Sequence, residues 1–261
     1  MSTSSSTPLP PDPNRGRWPA LSELASPARF SSFTARLVPW LVFLTAILIG
    51  LGLWQAFFAA PPDYQQGETV RIMFIHVPAA WLSMMAWSLM SLASLGVLVW
   101  RHPLADVAAQ SAAPLGAAFT LIALVTGSLW GRPMWGTYWV WDARLTSELV
   151  LFLMYLGVIA LRAALDEPAR AARLVAILTL VGFVNIPIIK FSVDWWNTLH
   201  QPASVFRAGG STIHPAILVP LLINAAAFTC LFFTLHLAAM RTELIRRRLR
   251  GLRLRAARMQ A

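Results

Sequence analysis

The chain has 261 residues, 57% of them hydrophobic and 12% charged, with a formal net charge of +10. This apolar share exceeds that of an ordinary soluble domain, and with a mean hydropathy of +0.61 the chain reads as an all-α integral membrane protein. Cys230 is the only cysteine, which excludes a CxxC redox pair, a thiolate metal cluster and a CxxCH motif for covalent haem attachment.

Residues 1–36 form a basic segment, Ser- and Pro-rich at its start, that is expected to be disordered and cytoplasmic. It lacks the apolar core and cleavage site of a signal peptide, so the first apolar run is expected to serve as an uncleaved anchor. Six apolar runs follow, at 37–59, 77–100, 107–129, 149–161, 174–189 and 213–237. Each is read as a transmembrane helix, since crossing about 30 Å of hydrocarbon takes roughly 20 helical residues. The fourth is short and is expected to extend at both ends. Residues 37–240 therefore make a six-helix membrane domain, and 241–261 an Arg-rich tail suited to setting topology and touching anionic lipid. No tandem repeat is present.

Six spans put both termini on one side, and Lys and Arg decide which. Sixteen of the 21 cations fall on the side of the termini: four in the first segment, Arg101, three in the fourth loop and eight in the tail. Arg71, Arg132, Arg144, Lys190 and Arg207 fall on the other. Acidic residues divide almost evenly, so the net charge is a positive-inside bias and gives no sign of a nucleic-acid partner. Both termini are expected in the cytoplasm.

Lys190 is the only lysine and follows Ile188 and Ile189 in place of a Gly-rich loop. No P-loop exists, and an ATP-driven step would need another subunit. GxSxG and HExxH are also absent.

The most informative stretch joins the third and fourth spans. Between about 130 and 148, on the outer side, lies an expected loop with Trp130, Trp135, Tyr138, Trp139 and Trp141 among Gly, Pro, Arg and Asp. A single Trp at a helix end is an ordinary membrane anchor; five broken-up rings are better suited to gripping something flat. Asp142 suits the N-cap of the fourth helix, and Glu148 an i,i+4 pair with Arg144. Three histidines also face outward: His76 at the mouth of the second span, His200 after the fifth, and His214 at the start of the sixth. Imidazole is a common ligand of haem iron, so two of them from different loops could clamp one haem. The rings would hold the porphyrin, and Arg71, Arg132 or Arg144 could pair with its propionates.

The string from Trp135 to Leu149, WGTYWVWDARLTSEL, with IHVPAA at 75–80 and WWNTLHQ at 195–201, resembles the haem-handling WWD-domain family of c-type cytochrome maturation. The likeness covers about 37–237 and fits its six-span members. It implies that His76 and His200 are axial haem ligands, that Trp135, Tyr138, Trp139, Trp141 and Asp142, with Trp130 beside them, form the haem platform, and that Asp63, Gln66 and Arg71 lie where a partner could touch bound haem. His214 has no place in the pattern and reads as a helix-boundary residue. The resemblance further implies transfer of haem b outside the bacterial inner membrane to the haem chaperone CcmE, whose histidine captures a vinyl group. The ABC transporter subunits CcmA and CcmB and the small membrane subunit CcmD would be partners. The chain itself would be a transfer scaffold and not an enzyme.

Two other classes are open to the same residues. A b-type electron-transfer subunit would keep its haem, but such subunits bury their ligands between facing spans. A solute transporter would place charged groups near the midplane, where this chain offers only Thr45, Ser88, Ser91, Thr179 and Asn224, with Asn185 and Pro187 the nearest approach to a broken polar helix.

Overall fold

The computed structural model describes residues 25–202 and 204–260. They form seven α-helices: α1 (Pro27–Trp54), α2 (Met73–Trp100), α3 (Pro103–Trp135), α4 (Ala143–Ala163), α5 (Pro168–Gly182), α6 (Asn185–Trp195) and α7 (Pro215–Gln260). A π-helical turn, Gln55–Ala59, extends α1, and a 3-10 turn, Glu68–Ile72, leads into α2. With α5 and α6 taken as one broken span, six segments are long and apolar enough to cross a membrane. Prolines at the first turns of α1, α3 and α5 supply φ angles already suited to a helix at positions that need no N–H donor.

Several boundaries differ from the sequence reading. α1 begins at Pro27, ten residues before the expected span, so residues 27–36 are helical and not disordered; residues 1–24 lie outside the described part. α3 runs through Trp135. Trp130 and Trp135 therefore project from a helix, and the connection to α4 shrinks to 136–142. Gly136 ends α3 at φ 77°, a left-handed conformation that a residue with a Cβ rarely takes. The fourth span extends at both ends as expected, to Ala143–Ala163. The fifth breaks after Gly182, at the Asn185–Pro187 stretch, and Asn185 Nδ2 donates to the carbonyl of Ser147 at 2.8 Å. Pro187 has no N–H for a helical bond, and Asn185 ties the broken segment to α4. The Arg-rich tail continues α7 without interruption to Gln260.

Helix association in lipid depends on close packing and interhelical hydrogen bonds, because lipid tails are as apolar as the core. α2 packs most extensively on α3, and α4, α5 and α7 close around them. Trp87, fully buried, donates from Nε1 to the Thr179 carbonyl at 3.1 Å and meets the Tyr155 ring edge-on at 4.9 Å. The Tyr155 hydroxyl donates in turn to the Ser83 carbonyl at 2.7 Å. Gly116 of α3 makes room for that ring: a Cβ there would come 2.2 Å from Tyr155 Cζ. α1 runs antiparallel to α7, joined by Thr45–Thr234 at 3.0 Å and by Asn224 Nδ2 donating to the Gly52 carbonyl at 2.9 Å. The first and last helices thus put the N-terminal end of α1 and the C-terminal end of α7 at the same end of the bundle.

At that end, Asp106 of α3 receives both guanidinium nitrogens of Arg162 at 2.6 and 2.8 Å and Arg247 of α7 at 2.6 Å. Arg247 also donates to Glu243 and Gln110. This ion cluster locks α3, α4 and α7. The tryptophan connection occupies the opposite end of α3, roughly 50 Å away at 1.5 Å per residue.

Gly116→Ala should lower unfolding stability in detergent by about 1–3 kcal/mol, the usual cost of overpacking. Gly157→Ala, where a Cβ meets nothing within 4 Å, should be neutral or slightly stabilising. Thermal melts of the two variants check the difference.

Candidate functional site

The ends of α2, α3, α4 and α6 and the stretches 196–202 and 204–214 enclose two cavities at the tryptophan end of the bundle. The outer has a volume of about 230 Å³ and the inner about 160 Å³. They share His76, His200, Arg144 and Lys190 among their walls, so these residues form a waist between them. Trp130, Trp135 and Gln66 line the outer cavity, and Trp139 and Glu148 the inner. Glu148 accepts from the Ser83 hydroxyl at 2.7 Å.

His76 sits in the first turn of α2 and lays its ring on α3. Its Nδ1 lies 3.0 Å from the Ala123 carbonyl and 3.1 Å from the Thr126 hydroxyl. A carbonyl only accepts, so the proton belongs on Nδ1, and Nε2 keeps its lone pair. The approach depends on Gly127, where a Cβ would stand 2.9 Å from His76 Cε1. The indole of Trp130 closes on the imidazole edge-on, with centroids 5.6 Å apart.

His200 has a different mount. It lies in the non-helical stretch 196–202, with Nδ1 3.4 Å from Asp142 Oδ2 and its ring 4.8 Å from that of Trp135. The same Asp142 oxygen accepts a hydrogen bond from the Thr198 hydroxyl, while Oδ1 accepts the Leu145 N–H at 2.8 Å as the expected N-cap of α4. Burial works against charge on Asp142, yet the bonds from Thr198 and Leu145 and the nearby His200 prevail and hold its carboxyl below the usual range. Burial also pushes the His200 imidazole below its ordinary value. Asp142 opposes that shift, and the positive charge of Arg144 reinforces it. His200 is therefore neutral at physiological pH, and the Asp142 carboxylate places its proton on Nδ1. Both histidines present a free Nε2.

Arg144 donates from Nε to Ser192 Oγ and from a terminal nitrogen to the Lys190 carbonyl, each at 3.1 Å. The expected hydrogen-bonded pair with Glu148 does not form, because α6 beyond the helix break supplies nearer acceptors. Arg132 donates to the Gly136 carbonyl and lies over the Tyr138 ring at 5.6 Å, so it shapes the connection and lines neither cavity.

The remaining expected residues separate into two groups. Trp130, Trp135, Trp139, His76, His200, Gln66 and Arg144 are brought together around the cavities. Tyr138 and Trp141 line neither, being 56% and 75% exposed. Arg71 is tied to Glu68 at 2.6 Å and to the Ala56 carbonyl at 2.7 Å, and the Asp63 carboxylate accepts the N–H groups of Gln65 and Gln66. Neither lines a cavity. His214 caps α7, its Nδ1 accepting the Ala216 N–H at 3.2 Å, as expected of a boundary residue.

The chain matches the family CcmC, described as "Heme exporter protein C", over residues 20–255. Proteins named "Heme exporter protein C" share 68% identity with it over 237 residues in Bradyrhizobium diazoefficiens (91% of this chain, 90% of that protein) and 47% over 228 residues in Escherichia coli (87% and 92%). The Paracoccus denitrificans protein of the same name is 46% identical over 232 residues, 88% of this chain and 95% of its own length. The chain belongs to the CcmC family.

Membership confirms the resemblance read from the WWD string and its flanking histidine motifs. Sequence reasoning missed several residues that line the outer cavity of this CcmC-family chain: Trp81, Gly127, Lys190, Asp194 and Phe206. Lys190 carried a signal, being a lone cation against an apolar run. Gly127 carried none, since its significance is the distance to a ring 51 positions away.

Below about pH 6.5 an unfolded chain takes up a proton at His200 that the folded one resists, so the stability attached to this residue is complete above that pH and falls as pH drops through it. The contribution of Asp142 is complete above the ordinary carboxylate range and is lost only as pH falls through its lower folded value. The melting temperature should therefore fall between pH 7 and pH 5, and fall less in His200→Gln. Parallel melts of both proteins at the two pH values measure it.

Proposed function

We propose that this protein binds haem b at the outer, periplasmic face of the bacterial inner membrane and delivers it to the haem chaperone CcmE in c-type cytochrome maturation. The family places the chain among the multi-pass membrane proteins that handle haem in that process; the route and residues are our reading.

The observation that carries it is the waist formed by His76 and His200, with both Nε2 atoms free and aromatic walls on either side. Two imidazoles alone make a poor cage for a bare ion, and no cluster of three or more His, Cys, Asp or Glu side chains able to hold one occurs among the described residues. They suit an iron whose four in-plane ligands arrive with it. Unpartnered polar atoms support a large polar-edged ligand: Gln66 Oε1, Trp130 Nε1 and Trp139 Nε1 are buried without a partner on the cavity walls. Such atoms cost about 1–3 kcal/mol each until something bonds them.

In this reading His76 and His200 supply the axial nitrogens, Trp130, Trp135 and Trp139 the inner platform, and Arg144 and Lys190 the charge that propionates require. Exposed Tyr138 and Trp141 form the outer part of the platform, where the chaperone docks, with Asp63 and Arg71 shaping the neighbouring loop. The vinyl edge stays open to CcmE. The protein holds and presents haem; ATP hydrolysis falls to CcmA with CcmB, and CcmD completes the assembly.

His76→Ala and His200→Ala should each weaken haem binding by at least the roughly 10- to 100-fold that loss of an outer-shell partner alone costs a metal site, and leave CcmE unloaded. Absorption spectra of purified protein and haem staining of CcmE read the two effects, and full loading by both variants would falsify the ligand assignment. Trp141→Ala should keep the haem spectrum and lose chaperone loading.

A further inference from the structure

We propose that the two ligand histidines are mounted unequally, with Asp142 the positioning residue for His200, and that His200 is the ligand that lets go when haem leaves. The inference rests on the haem-binding reading above. His76 belongs to a helix, and its ring is held by the Ala123 carbonyl and the Thr126 hydroxyl against Gly127 of α3, the helix on which α2 packs most closely. Shifting it means shifting α2 against α3. His200 belongs to a non-helical turn, and its ring meets the bundle at Asp142 and, in an edge-type contact, at Trp135. The Thr198 hydroxyl adds a second tie to the same Asp142 oxygen and accepts the His200 N–H at 3.1 Å. Releasing those contacts frees His200 without disturbing a span.

The acceptors differ in kind as well. A neutral carbonyl sets the tautomer of His76, whereas a carboxylate sets that of His200 and raises the electron-donating power of its Nε2. One carboxylate therefore couples three things: the start of α4, the placement of the 196–200 turn, and the ability of His200 to bind iron. A partner that pulls on the 136–142 connection or on the turn after α6 would loosen the bond to iron at a distance. No electron or proton transfer is needed, only withdrawal of the Nε2 lone pair from the metal.

Asp142→Asn tests the coupling in haem-loaded, purified full-length protein. An Asn that keeps its oxygen on the Leu145 N–H presents an amide NH₂ to His200. Nδ1 must then accept, the proton moves to Nε2, and ligation is lost. The absorption spectrum should change from low-spin, with two ligands, to high-spin, with His76 retained, and added imidazole should restore the low-spin form. Gly127→Ala should produce the same change from the His76 side. Thr198→Val keeps the carboxylate and should keep the low-spin spectrum, but should lose haem to apomyoglobin about tenfold faster, on the lower scale of outer-shell effects. Thr126→Val, with the Ala123 carbonyl still in place, should match wild type. An unchanged spectrum in Asp142→Asn overturns the positioning role. So does a loss of haem that imidazole does not restore, since that marks a purely structural cap. Equal haem loss from Thr198→Val and wild type overturns His200 as the departing ligand. If wild-type protein shows no two-histidine spectrum, the underlying haem reading fails and this inference with it.

Discussion

The carboxylate of Asp142 accepts from a backbone N–H at the start of α4, from a threonine hydroxyl after α6 and from an imidazole ring. Two segments distant in the chain, the start of α4 and the turn after α6, thus meet at one charged group, whose carboxyl is held below the usual range because both donate to it. The tryptophan connection and the histidine connection are otherwise separate pieces of chain. Their common anchor makes one wall of two sequences, and the cavities, the waist and the orientation of His200 follow from that join.

A second constraint comes from the membrane. Inside hydrocarbon every backbone group must find an internal partner, so irregular structure and polar side chains are confined to helix ends or to places packed against protein. The chain obeys this with one marked departure, the break between α5 and α6. There Asn185 satisfies the Ser147 carbonyl and Arg144 reaches Ser192 and the Lys190 carbonyl. The departure is productive: the redirected α6 carries Lys190, Val193 and Asp194 to the wall of the outer cavity. At the other end, the Asp106–Arg162–Arg247 cluster clamps the helices together, leaving the tryptophan end as the place where loops and cavities form.

The spans were legible in the sequence because a bilayer reads average hydrophobicity over about 20 residues, which a run of letters states directly. The ends were less legible. α3 was expected to stop near Leu129, yet it continues through Gly131 and Pro133 to Trp135; the same Gly, Pro and Trp residues that suggest a loop are tolerated in a last helical turn where the backbone is no longer surrounded by lipid. The histidine pair and the WWD string were visible as motifs. The partition of the aromatic residues was not: Trp139 lines the inner cavity while Trp141, two residues on in the same motif, lies exposed. Alternation along a short irregular turn depends on its φ and ψ angles, and no periodicity announces them.

The sequence by itself determined the membrane class, the six spans, the cation asymmetry and the family, since each rests on composition or on a contiguous string. Only the tertiary structure decided that Asp142 holds His200, that Gly127 admits the His76 ring, that Arg144 turns to α6 instead of Glu148, and that Lys190 joins the site. Those are contacts between residues 46 to 58 positions apart. Hydrogen bonds and van der Waals contacts act over a few ångströms of space, and separation along the chain does not encode such distances until the helices have packed.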